Sequence, residues 1–264
     1  MQFSAYDQAI LDMTVARNID VTNTPYDPEW ASSQTNLTVR TQMRNVGFNS
    51  FLFNRAFFEA YPSLRDYKQD FFNVALEFGN EEVAIAMHED GALINGQPNT
   101  PPDSRPFTFA LRRTRLSTIQ WMLSHPDLDV NVTVGDMNAT SFAIQQTLPI
   151  EIVHSMLQHG ALNNPLGQWY PLSMAVYNTW DDIIQLLLFH GANPHFVDDD
   201  QHDCGYYAWD YDVKECIRSW SDQATQTLRE MIGNDLDLLL DGDSRLWRKA
   251  LDRAQQRAKK VDAV

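Results

Sequence analysis

The chain has 264 residues, 44% of them hydrophobic, with 20 basic side chains against 35 acidic ones and a formal net charge of −15 at pH 7. That length and apolar fraction suffice for a substantial core, while the excess negative charge works against nonspecific binding to nucleic acid or an anionic membrane surface. Two cysteines, Cys204 and Cys216, are too few for a disulfide framework.

Residues 1–66 follow no repeating pattern. The first twenty, MQFSAYDQAILDMTVARNID, have neither a basic start nor an apolar block, so no secretory signal is expected. Ser4 and Asp7 suit the start of a helix running to about Arg17. Pro25, Pro28 and many Thr, Asn and Ser make 20–36 a loop. Residues 37–61 read as two helices divided near Gly47, with an aromatic block at Phe48, Phe51, Phe53, Phe57 and Phe58. The block suits a cap over the first element of a repeat array, since such arrays leave an apolar edge at each end. A small-molecule pocket is the competing reading. Beyond this region no apolar run reaches the ~18 residues of a membrane span. With thiols that fit a reducing compartment, the expectation is an intracellular protein, cytoplasmic or nuclear.

Four segments with a common layout then follow: DFFNVALEFGNEEVAIAMHEDGALIN (70–95), RPFTFALRRTRLSTIQWMLSHPDLDVN (105–131), TSFAIQQTLPIEIVHSMLQHGALN (140–163) and WYPLSMAVYNTWDDIIQLLLFHGANPH (169–195). The last is the clearest. Pro171 suits the first turn of a helix, where its missing N–H costs nothing. Ile183, Ile184, Leu187 and Leu188 make one apolar stripe on a second helix, and Gly191 is suited to a left-handed helix stop. Phe109-Ala110 aligns with Met174-Ala175, and Ile119, Met122 and Leu123 align with Ile184, Leu187 and Leu188. The openings at 70, 105, 140 and 170 give a period of roughly 30 to 35 residues, the spacing of helix-pair repeats that bury their apolar faces on one another.

Past Asp203 the pattern decays. GYYAWDYDVKECIRSW (205–220) has the layout of a degenerate closing helix pair, and helices are expected at about 222–232 and 235–240. Ser244 is expected to cap a helix to about Lys260, with Trp247, Leu251, Ala254, Ala258 and Val261 as a narrow apolar seam. Seven basic residues and two aspartates lie between 245 and 264, so this helix is expected to dock across the acidic body, or else to bind a partner or a second copy.

YPLSMA followed by LLLFHGANP resembles the ankyrin-repeat family, and the resemblance spans about 67–203. Tyr170 and Ser173 depart from the family's usual Thr and His, and the second segment ends in Pro126-Asp127-Leu128-Asp129 in place of Gly-Ala. The resemblance implies an all-α fold, a helix-turn-helix solenoid with short β-hairpin fingers. It implies an amino-terminal cap region at 1–66, repeats at 67–203, and a degenerate repeat with a helical cap at 204–264. It further implies a scaffold or adaptor that recognises a protein partner in a concave groove lined by fingers and first-helix ends.

By register those ends carry Glu77 and Phe78, Arg112 and Arg113, Gln146 and Thr147, and Tyr177 and Asn178. Large rigid aromatics and arginines concentrate interface energy. The candidate binding residues are therefore Phe78, Arg112, Arg113, Trp169, Tyr177, Asn178 and Tyr211. A protein partner, basic in character, is favoured by the acidic balance; no cofactor is expected and the oligomeric state is open. The run HFVDDDQHD (195–203) has metal-binding residue types without a metal-binding spacing, so no metal site is assigned. Cys204 beside His202 does not make a nucleophile and base by adjacency alone. His159 and His190 occupy matching helix ends, where the helix dipole favours the charged form. The alternative function is a small-molecule binder or enzyme with an aromatic-lined pocket. There Tyr206, Tyr207, Trp209 and Tyr211 would surround Asp203, Asp210 or Asp212 and raise a carboxyl pKa.

Overall fold

A computed structural model describes residues 68–79, 81–162, 170–198, 200–240 and 243–261. The expected cap region at 1–66, its aromatic block, and Trp169 lie outside the described residues. The chain divides into two compact units, Met1–Leu128 and Asp129–Val264. The described residues are mostly helical with one two-stranded sheet, which places the protein in the all-α class. No helix among them is long and apolar enough to cross a membrane.

In the first unit α1 (Lys68–Phe78) packs on α2 (Glu81–Glu89) and on α3 (Pro106–Arg113), and α3 packs on α4 (Leu116–Leu123). In the second, α5 (Ala139–Gln145) packs on α6 (Ile150–Gln158) and on α7 (Pro171–Tyr177), which packs on α8 (Asp181–Phe189). Helices this short are marginal alone, so their stability comes from the faces they share. One set of slots supplies those faces. Ala75, Ala110, Ala143 and Ala175 on the first helices are all buried, as are Leu76, Leu111, Ile144 and Val176 beside them. On the second helices the matching slots are Ala84, Ile119, Val153 and Ile184, then Met87, Met122, Met156 and Leu187, all buried.

The backbone repeats with the core. Each first helix stops at a residue of positive φ: Gly79 (66°), Thr114 (50°), Thr147 (51°) and Thr179 (55°). In each case that residue's amide donates to the carbonyl three back, on Leu76, Leu111, Ile144 or Val176. A left-handed threonine costs roughly 1–2 kcal/mol, so the packing of the returning helix must outweigh it. Three of the second helices stop at a left-handed glycine: Gly91 (φ 99°), Gly160 (82°) and Gly191 (85°). The next amides, of Ala92, Ala161 and Ala192, reach back to the carbonyls of Met87, Met156 and Leu187, satisfying otherwise orphaned acceptors. The segment with Pro126 lacks this stop; α4 ends at Ser124 in right-handed conformation.

β1 (Thr133–Val134) and β2 (Met137–Asn138) pair antiparallel across Gly135, whose φ of 62° suits the turn. Asn138 then caps α5 by accepting the Ser141 amide at 2.9 Å. A single bridge, Val197 to Asp203, closes the loop after α8. The segment between α2 and α3 carries Pro98, Pro101 and Pro102, which cannot donate to a ladder, and it folds as turns with a short 3-10 segment at Pro102–Ser104.

Beyond Asp203 a 3-10 turn (Cys204–Tyr207) takes the place of the first helix of the expected closing pair, and α9 (Tyr211–Arg218) follows. Next come α10 (Asp222–Ile232), α11 (Leu236–Leu240) and α12 (Leu246–Val261). α12 packs on α10 and α8, burying Trp247, Ala250, Leu251 and Ala254. Two expectations are corrected here. The turn before α12 is held by Asp243, whose carboxylate accepts the Arg245 amide at 3.0 Å, so Ser244 is not its cap. The seam ends at Ala254: Ala258 is exposed and Val261 is 76% exposed, because α12 outruns the helices it packs against.

Candidate binding surface

α7 ends at Tyr177, whose ring is 41% exposed. Trp209, in the turn between the 3-10 segment and α9, brings its indole within 5.9 Å of that ring at 64°. The indole is itself 77% exposed. Tyr211 opens α9 and is 72% exposed, and Tyr206 in the 3-10 turn is 55% exposed with His202 stacked on it at 3.7 Å. Among the residues whose side chains are described, no other Phe, Tyr or Trp is exposed. Burying a ring is normally worth more than leaving it in water, so these four exposed rings are candidate contact residues of the second unit.

Asn178 follows Tyr177, but its side chain is used locally, donating to the Met174 carbonyl at 2.9 Å and closing the helix end. In the first unit Arg112 and Arg113 are exposed at the end of α3. Arg112 lies 5.9 Å over the Phe109 ring, while Arg113 donates to the carbonyl of Glu77. Phe78 is the last residue of α1; its side chain, like Trp169, lies outside what is described. The structure thus joins Tyr177 to the region of Tyr211 through Trp209. Sequence reasoning placed Trp209 and Tyr206 among pocket-lining aromatics and missed them as surface residues. The available signal was Asp210, the N-cap of α9, which puts the tryptophan before it on the loop side.

The carboxylates nearby are surface groups too. Asp210 accepts the Val213 amide at 3.0 Å, and Asp203 accepts the Tyr206 amide at 2.7 Å and pairs with Arg218 at 3.5 Å. Asp210 and Asp212 are exposed.

Asp198 is the exception, being buried. Its Oδ1 accepts the amides of Asp200 and His202, each at 2.9 Å, and its Oδ2 accepts the Tyr207 hydroxyl. Burial alone would raise its pKa, but these donors outweigh burial and hold the carboxyl below its ordinary range. Asp198, Asp200 and His202 offer ligand atoms within 4.8 Å of one another, yet both oxygens of the buried carboxylate are already turned to the chain's own donors. Cys204 is fully buried, and burial pushes its thiol well up, out of the range of a nucleophile.

A pair of histidines, His154 buried and His190 half-buried, was not legible as a pair. His154 Nδ1 lies 3.1 Å from His190 Nε2, and His154 Nε2 is buried without a partner. Burial, then His154, then Arg229 lower the His190 pKa to about 4; burial also lowers that of His154. His190 and His159 do stand at matching helix ends, as their slots predict, and at His190 desolvation outweighs a dipole effect of about 0.3–1 kcal/mol.

In comparison with known proteins, the chain matches no protein-family model and no curated protein.

Proposed function

We propose that this chain is an ankyrin-type repeat protein that binds a protein partner on first-helix ends and fingers, the Tyr177 end in the second unit foremost. The sequence period and the recurring unit support the repeat reading: a short helix, a left-handed stop at Gly79, Thr114, Thr147 and Thr179, and a second helix with one shared set of buried slots. Fingers tied to the next unit support it as well. The Asn95 amide donates to the Asp127 carbonyl at 2.6 Å, and Asn131 donates to Gly160 while accepting from Leu162. A face built on such units is preformed, so little ordering entropy is lost on binding.

The observation that carries the binding reading is the group of exposed rings at Tyr177, Tyr206, Trp209 and Tyr211. Arg112 and Arg113, exposed at the matching helix end, extend the same logic to charged partners. With a formal charge of −15, the chain attracts basic partners and its association slows as salt rises. The test is crosslinked capture with the tagged full chain. Tyr177→Ala with Tyr211→Ala, both exposed rings, should abolish recovery of specific partners, while Glu151→Ala with Gln158→Ala, exposed on a second helix, should leave it intact. Equal recovery by both variants would reject the assignment of the face.

A further inference from the structure

We infer that the patch around Trp209 docks an extended arginine-rich segment of a protein partner, an inference that rests on this face being the binding face. Two features meet there. The first is ring surface: Trp209 and Tyr177 are inclined at 64° with 5.9 Å between centroids, and most of the indole is open to solvent. An aromatic face attracts a cation through its quadrupole, indole most strongly, and a planar guanidinium stacks on it better than an ammonium does. The second is charge. Between residues 197 and 218 there are seven carboxylates against Lys214 and Arg218, and Arg218 is paired with Asp203. Asp210 and Asp212 are exposed on either side of Tyr211 in sequence, two residues or fewer from the exposed rings. Rings supply the stacking surface and carboxylates the opposite charge, so the chemistry that fits both is guanidinium repeated along a strand.

The chain's own basic helix is not the occupant. In α12, Arg248 is held by Asp181 at 2.9 Å, Arg257 by Glu230 at 3.1 Å, and Lys249 by Asp243. With those groups of α12 engaged, the segment assigned to the patch is a partner's, and several cations spaced along it would engage the patch together.

The probe is a fluorescent peptide of alternating arginine and glycine, titrated into the full chain and followed by anisotropy at two salt concentrations. Binding that weakens with salt is expected. Trp209→Ala should lower the affinity about tenfold and Trp209→Phe should keep most of it. Asp210→Asn with Asp212→Asn, which preserves a capping side chain, should lower the affinity and flatten the salt dependence. Because Trp209 is exposed, circular dichroism should match wild type for all of these.

An unchanged affinity in Trp209→Ala, or equal binding of a peptide with glutamate at the arginine positions, overturns the inference. So does Trp209-dependent dimerisation in sedimentation without peptide binding, which would make a second copy the occupant. If the peptide fails while capture still depends on Tyr177 and Tyr211, the arginine assignment falls and the broader binding reading stands. Loss of both rejects the face itself.

Discussion

Trp247 and Trp209 belong to the same unit and have opposite fates. Trp247 is fully buried, its backbone amide donating to Gln185 Oε1 at 3.2 Å and its indole N–H to Asp181 at 3.1 Å, with the Arg248 guanidinium 5.0 Å over its ring. Trp209 touches Tyr177 and is otherwise largely in water. One tryptophan closes an apolar edge that α8 would otherwise expose, as a terminal element must. The other stays 77% exposed. Residue type does not separate them; the supply of neighbours does.

The sharpest way to break this comparison is to truncate both rings. Trp247→Ala should cost about 3–5 kcal/mol through lost burial and a residual cavity, whereas Trp209→Ala should stay within about 0.5 kcal/mol. Chemical denaturation midpoints measure both, and similar losses would erase the distinction. A smaller effect is expected at Gly191, on the buried side. Its φ is +85°, and an added Cβ would come to 3.2 Å from the Arg229 guanidinium, which itself donates to the Phe189 carbonyl at 2.8 Å. Gly191→Val should destabilise by about 1–3 kcal/mol, read from the same curves. An unshifted midpoint would mean that the left-handed stop matters little to the junction of α8 with α10.

The mildest probe is pH. The folded state holds His190 near a pKa of about 4, with Arg229 facing it from α10 and His154 from α6. Its ordinary value is 6.5, so between these values the unfolded chain binds the extra proton and stability rises with pH. Stability should therefore be complete above about pH 6.5 and decline as the pH falls toward 4. His190→Gln should flatten that part of the profile of melting temperature against pH, and an unchanged slope would assign the acid sensitivity elsewhere.

Much of the scaffold was legible because it is local. Pro171 at a helix start, the apolar stripe of Ile183, Ile184, Leu187 and Leu188, and the Gly191 stop are set within one turn of chain, and each sits as its residue type requires. The helices at 222–232 and 235–240 were readable for the same reason. The surface was less so. Tyr177 and Tyr211 could be named from register, but their link through Trp209 joins residues 32 apart in the chain. Asn178 looked free to recognise a partner and instead closes its own helix.

By itself, then, the sequence determined which segments are helical, where they stop and which slots turn inward, since propensity, capping and apolar spacing act over a few residues. Tertiary structure alone decided which aromatic rings found cover and which did not, that α12 buries its seam only as far as Ala254, and that His154 and His190 meet at 3.1 Å. Those outcomes depend on contacts between residues tens of positions apart, where the same side chain is stabilised by burial in one place and left to water in another.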